Sequence, residues 1–164
     1  MLQKLKQQKS DGFTIIEVLI VLAIAGLILL IVFLAVPNLQ RNSRNTQRKN
    51  DVQAILGAVG EYESNNAGAL PATGTSGSSA PVLLSGSTLT LGASGSATSQ
   101  ANLGYYNSGT VTIEKFTTGI SAPDTDTVLI LEGAGCNGNT PVAASARSVA
   151  AYYHIENADQ CTSS

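Results

Sequence analysis

The longest apolar run of this chain is interrupted by one charge. Reading from Phe13, the sequence goes Phe13-Thr14-Ile15-Ile16-Glu17 and is then apolar from Val18 to Val36. That segment is long enough to span a bilayer. An ionised carboxylate within it costs about 2.5–3.5 kcal/mol on insertion scales, so a plain anchor would carry leucine at that position. The segment offers Glu17 no evident partner. Gly26 falls in its middle, where a small residue lets another helix approach closely.

Pro37 removes a backbone donor and disfavours helical geometry at Val36. Beyond it the pattern changes. Val52, Ile55, Leu56, Val59 and Tyr62 recur at the helical period and mark one buried face. The chain therefore reads as a single helix from about Phe13 to Asn65, with a break or melted stretch near Pro37. Its front half (13–36) is apolar all round, and its back half (37–66) is amphipathic. Asn65, Asn66 and Gly68 stop it. The segments Ala72–Ala80 and Ala93–Gln100 read as Gly/Ser/Thr-rich loops. Strand-like runs follow at Val82–Leu84, Leu89–Leu91, Thr110–Phe116, Thr127–Leu131 and Ser148–Glu156. Strands in succession without intervening helices predict an antiparallel sheet. The fold class is α+β: a long N-terminal helix packed on a small sheet within a β-rich region, 67–164.

Composition narrows the function. Charged residues are only 12% of the 164, and tryptophan is absent, as in secreted surface proteins. Nine of the eleven acids lie beyond Asn50, against Lys115 and Arg147 alone among the bases, so 51–164 is acidic. That argues against direct nucleic-acid binding by this region. The positive-inside count is ambiguous: Lys4, Lys6 and Lys9 precede the span, and Arg41, Arg44, Arg48 and Lys49 follow it.

The leader Met1–Gly12 and the residues after it resemble the class III signal of type IV prepilins and pseudopilins. The resemblance rests on the basic leader ending in Gly12, on Phe13, on Glu17 and on the long apolar helix. A secretory signal fits poorly, because its apolar region would be short and followed by a small-residue cleavage site. The resemblance implies cutting between Gly12 and Phe13 by a membrane prepilin peptidase, N-methylation of the Phe13 amine, and assembly through Phe13 and Glu17. Pro37 is a departure, since the family commonly has its proline about one turn earlier. The implied protein is a structural subunit, not an enzyme. It is held in the cytoplasmic membrane by lipid contacts and then polymerised with itself into a surface filament by an assembly platform and an ATPase motor. A pseudopilin, a minor pilin or a membrane-anchored adhesive module is the alternative. Export makes a disulfide between Cys136 and Cys161 the expectation.

Other features carry less. Arg41, Arg44 and Arg48 share a helix face and suit anionic headgroups or acids on neighbouring subunits. Leu70-Pro71-Ala72-Thr73-Gly74 spells a sortase signal but lacks the apolar span that such a signal precedes. His154 is the sole histidine and sits in a strand-like run. Asp124 and Asp126 are too few for a defined Ca²⁺ site. Gly133-Ala134-Gly135 reads as a turn. No pattern for a cofactor, a metal or a small-molecule substrate emerges.

Overall fold

The computed structural model describes residues 12–77, 81–92, 98–156 and 158–164. The leader lysines and parts of the two Gly/Ser/Thr-rich loops lie outside them. The chain divides into two compact units, the first ending at Gln40 and the second being Arg41–Ser164.

Helix α1 is Ile15–Asn65 and contains Pro37 in its interior. It continues through that residue, so the melted stretch expected there is absent. Proline removes one hydrogen bond of the ladder, and the turns on either side keep theirs. In the first unit the helix from Ile15 to Gln40 is exposed throughout, its apolar side chains included. It is long and apolar enough to cross a membrane. The helix ends with Ala67 in the left-handed region (φ 56°), and the Gly68 N–H donates to the Glu63 carbonyl at 2.8 Å. That six-residue closure satisfies a terminal carbonyl. The sequence pointed to glycine for this turn, yet alanine occupies its first left-handed position.

The second unit is built on a five-stranded sheet of β1 (Gly74–Thr75), β5 (Thr110–Lys115), β6 (Thr127–Glu132), β9 (Val149–Ile155) and β10 (Ala158–Ser163), in the order β1-β5-β6-β9-β10. A second sheet joins β2 (Val82–Ser85), β3 (Thr88–Leu91) and β4 (Ser99–Asn102), and β7 (Ala134–Asn137) forms a hairpin with β8 (Thr140–Ala143). All pairings of these strands are antiparallel except β5 with β6, which run parallel. The sheet is thus mixed, because a connection over 116–126 crosses back before β6 begins. Phe116 and Ile120 of that connection pack on the face of the sheet turned away from α1.

Two cores result from the period-two alternation of the central strands. Val111, Ile113, Val128, Ile130, Ala151 and Tyr153 face the predicted helix stripe Val52, Ile55, Leu56, Val59 and Tyr62, all buried. Leu131, Ala150 and Tyr152 face the other way, with Ala134 and the two cysteines.

Cys136 and Cys161 are joined, with Cα atoms 5.6 Å apart. The bond ties the β7–β8 hairpin to β10 and closes a loop over a sequence separation of 25. Cross-linking such a loop stabilises by roughly 3–4 kcal/mol in the chain-entropy model. Cys161→Ser is therefore expected to lower the urea midpoint of the full chain in detergent clearly. An unchanged midpoint would mean that the second core holds the hairpin alone.

Candidate functional site

At the start of α1 the local sequence Thr14-Ile15-Ile16-Glu17 folds into a capping box. Glu17 Oε2 accepts from the Thr14 N–H at 2.9 Å and from the Thr14 hydroxyl at 2.7 Å. In return the Glu17 N–H points to Thr14 Oγ1 at 3.4 Å. The first amides of a helix have no intrahelical partner, and this reciprocal arrangement satisfies some of them. The expectation that the segment offers Glu17 no partner is therefore corrected: Thr14 supplies two donors. The signal was present in the sequence, as Thr followed three residues later by Glu ahead of an apolar run.

Both donations land on Oε2, which leaves Oε1 able to accept from another molecule. Phe13 is 89% exposed and lines one shallow groove with Glu17, Val18, Val21 and Leu22. The chemistry is then a carboxylate, pre-oriented by its own turn, at one end of an exposed apolar rod. Gly12 precedes it with open space around its Cα.

The basic face beyond the span meets partners within its own chain. Arg44 donates from Nε to Glu156 Oε1 at 2.8 Å, with its Nη2 at 2.6 Å from the same oxygen. Arg41 Nε approaches Glu156 Oε2 at 3.4 Å. These two arginines thus meet an acid of their own chain at the β9–β10 turn. Both are about half exposed, so solvent screens the pairs strongly. Arg48 is buried. Its guanidinium stacks on the Tyr105 ring at 4.2 Å and donates to the Tyr105 hydroxyl, which donates onward to Asp126 Oδ1 at 3.0 Å.

Asp51, also buried, was not singled out by the sequence reading, yet it organises the loop after β4. Its Oδ1 accepts from the Gly104 N–H at 2.8 Å, and its Oδ2 accepts from Tyr105 at 2.7 Å and Tyr106 at 3.0 Å. Nearby, the buried Ser99 hydroxyl donates to the Ala58 carbonyl at 2.6 Å. Burial pushes the Tyr106 phenol well above its ordinary pKa. The helical stripe 52-55-59-62 could have flagged both charges, since Arg48 and Asp51 lie on its extension toward the N-terminus.

The remaining candidates are structural. His154 lies on β9, with Nδ1 at 2.7 Å from Asp159 Oδ1 across the hairpin. Asp124 closes a turn through its carbonyl, which accepts from the Thr127 N–H. No cluster of three His, Cys, Asp or Glu able to share a cation occurs among the described residues. In the sortase-like string Pro71 is buried and Gly74 begins β1. Gly133 makes the expected turn at φ 76°, but Ala134 and Gly135 belong to β7.

Residues 7–33 match the family model of the prokaryotic N-terminal methylation motif. No curated protein and no solved structure matches the chain. The N-terminal segment thus carries the class III signal of type IV pilins, in which prepilin peptidase processing is implied, on a helix able to anchor a precursor in a membrane. The α+β layout behind it is consistent with a pilin-like fold.

Proposed function

We propose that this chain is a type IV pilin, cut after Gly12, methylated at Phe13 and polymerised into a surface filament. One observation carries the reading: a single carboxylate, Glu17, one turn from the cleavage junction on a fully exposed apolar helix. Cutting creates an ammonium on Phe13, and methylation keeps its charge. In a filament of stacked helices the ammonium of one subunit meets the Glu17 carboxylate of the next, at the oxygen that Thr14 leaves open. Desolvation offsets much of the net energy of such a pair. Its effect is register, because a misdocked subunit leaves two buried charges unpaired. The uncut leader blocks the pairing, so processing licenses assembly. Pro37 is where the helix loosens as the subunit leaves the bilayer, having already one hydrogen bond fewer.

The test is processing. Mass spectrometry of sheared surface filaments is expected to find this subunit dominant, starting at methylated Phe13. Gly12→Leu is expected to leave full-length chain in the membrane and no filaments. Met1 at the start of assembled subunits would overturn the proposal.

A further inference from the structure

The hairpin that carries Cys136 turns at the chain's one Asn-Gly step, Asn137-Gly138. β7 and β8 close on the register pair Asn137 and Thr140, so the loop between them is Gly138 and Asn139 alone. Gly138 takes a left-handed φ of 60°, which the first position of so short a hairpin loop demands. All four residues are exposed, and a Cβ built at Gly138 would meet no neighbouring atom within 4 Å. Thr140 Oγ1 donates to the Asn137 main-chain carbonyl at 2.9 Å. Among the described residues, the Asn137 carboxamide and the Gly138 N–H have no hydrogen-bond partner. A primary carboxamide and the amide nitrogen that follows it thus share an open turn, with no side chain on residue 138 to crowd the nitrogen.

We infer that Asn137 is a self-modifying site, at which the carboxamide nitrogen is lost as ammonia and a carboxyl group is left in the chain. The Gly138 nitrogen gives up its proton to solvent and attacks Asn137 Cγ. The bond from Cγ to the side-chain nitrogen breaks, and that nitrogen takes up a proton and leaves as ammonia. The product is a five-membered cyclic imide, which water opens at either carbonyl. Opening at Cγ gives aspartate. Opening at the main-chain carbonyl carbon gives isoaspartate, in which the chain runs through the former side chain. Ring closure requires Asn137 to turn out of its extended strand conformation, which breaks its pair with Thr140. That pair is the exposed end of a two-stranded hairpin, where opening costs least. The neighbouring residue, Cys136, is bonded to Cys161, so β7 stays tied to β10 while the turn opens. The new charge adds to an already acidic region, 51–164, and isoaspartate lengthens the backbone of a loop built for two residues. Ammonia is lost to solvent, so the converted fraction rises with the age of the molecule. The reaction needs only water and proceeds whether or not the chain polymerises.

The test incubates the full chain, disulfide intact, in detergent micelles at mildly alkaline pH, beside the same chain unfolded in urea. Aliquots are reduced and digested with pepsin in acid, and peptide mass spectrometry with electron-transfer fragmentation reads each asparagine. A zero-time aliquot gives the conversion due to handling. Asn137 is expected to convert to aspartate and isoaspartate in the folded chain no more than about tenfold slower than in the unfolded one, an opening cost of about 1.4 kcal/mol. Asn107 and Asn139 are also exposed but precede Ser108 and Thr140, whose side chains crowd the attacking nitrogen. They are expected to stay intact over the same period. Gly138→Asn keeps a residue that tolerates the left-handed region and adds the crowding side chain, so conversion at Asn137 is expected to be lost. Asn137 intact in the folded chain when the unfolded chain has converted would overturn the site, and that comparison needs no variant to fold. Conversion of Asn107 or Asn139 as fast as Asn137 would overturn it too, as would undiminished conversion in Gly138→Asn. Aspartate without isoaspartate would mean direct hydrolysis of the carboxamide and would overturn the cyclic route.

Discussion

Asp51→Ala is expected to lower the stability of the full chain by about 3–5 kcal/mol, the range of a broken buried polar network. Three backbone N–H groups, those of Gly104, Tyr105 and Tyr106, point at this one carboxylate. Alanine leaves them without their acceptor. Domains are stable by only about 5–15 kcal/mol, so a loss of this size removes a large share. Asp51→Asn is expected to cost less. Its amide oxygen can take the place of Oδ2 and keep the Tyr105 and Tyr106 donors, while its NH₂ faces Gly104 as a second donor. The order Asp, Asn, Ala in urea midpoint checks the account. Equal midpoints for Asp51 and Asp51→Ala would mean that the loop after β4 is held by Tyr106 and Leu103 packing alone.

That prediction touches what the sequence left unread. The helix, its apolar stripe and five of the strand runs were legible because each obeys a local rule: a period of 3.6, a period of two, a glycine or asparagine stop. β1 fell within a stretch read as a loop and β4 began in one, because Gly74–Thr75 and Ser99–Asn102 are mostly small and polar and form strands only by pairing with β5 and β3. β7, β8 and β10 hide for the same reason. Three of the four residues of Ala134–Asn137 are glycine, cysteine or asparagine, Pro141 sits mid-strand on β8, and β10 contains Asp159 and Gln160. Proline is tolerated there because β8 is an edge. The parallel β5–β6 pair was beyond reach of succession arguments, since the crossover carries no helix to announce it. Burial of Arg48 and Asp51 was predictable from position but opposed by residue type. The arginine face was read as pointing outward to lipid or to neighbours, whereas Arg41 and Arg44 meet Glu156 more than a hundred residues away.

The candidate site itself was legible in its residues and not in its geometry. Gly12, Phe13 and Glu17 stood out because one charge in an apolar run is costly. Thr14 did not, because its role depends on a reciprocal pair of hydrogen bonds that only a formed first turn provides. The box alters what substitution of Glu17 means, since removing the carboxylate removes a helix cap as well as the charge to which the proposal assigns assembly.

Glu17→Leu is expected to reach the membrane at least as well as the native chain and yet to leave surface filaments absent or sparse. Insertion eases when a charge is removed from an apolar span. Loss of the cap costs about 1 kcal/mol, and this falls on the first turn of α1 alone. Glu17→Gln separates the two roles. Glutamine completes a capping box as glutamate does, so Thr14 keeps its partner and the helix start is preserved. The charge is gone, and the incoming Phe13 ammonium finds only a neutral acceptor. If charge sets the register, Glu17→Gln fails to assemble as Glu17→Leu does. If the cap is what assembly needs, Glu17→Gln makes filaments and Glu17→Leu does not. Glu17→Asp keeps the charge, but its shorter reach takes it from both the cap and the neighbour, so it falls between. The measurement is a membrane-fraction blot beside a sheared-filament preparation for each variant, with N-terminal mass spectrometry to confirm cutting at Gly12. Native filament yield from Glu17→Leu would show that apolar packing alone aligns the helices, and the register role of Glu17 would fall.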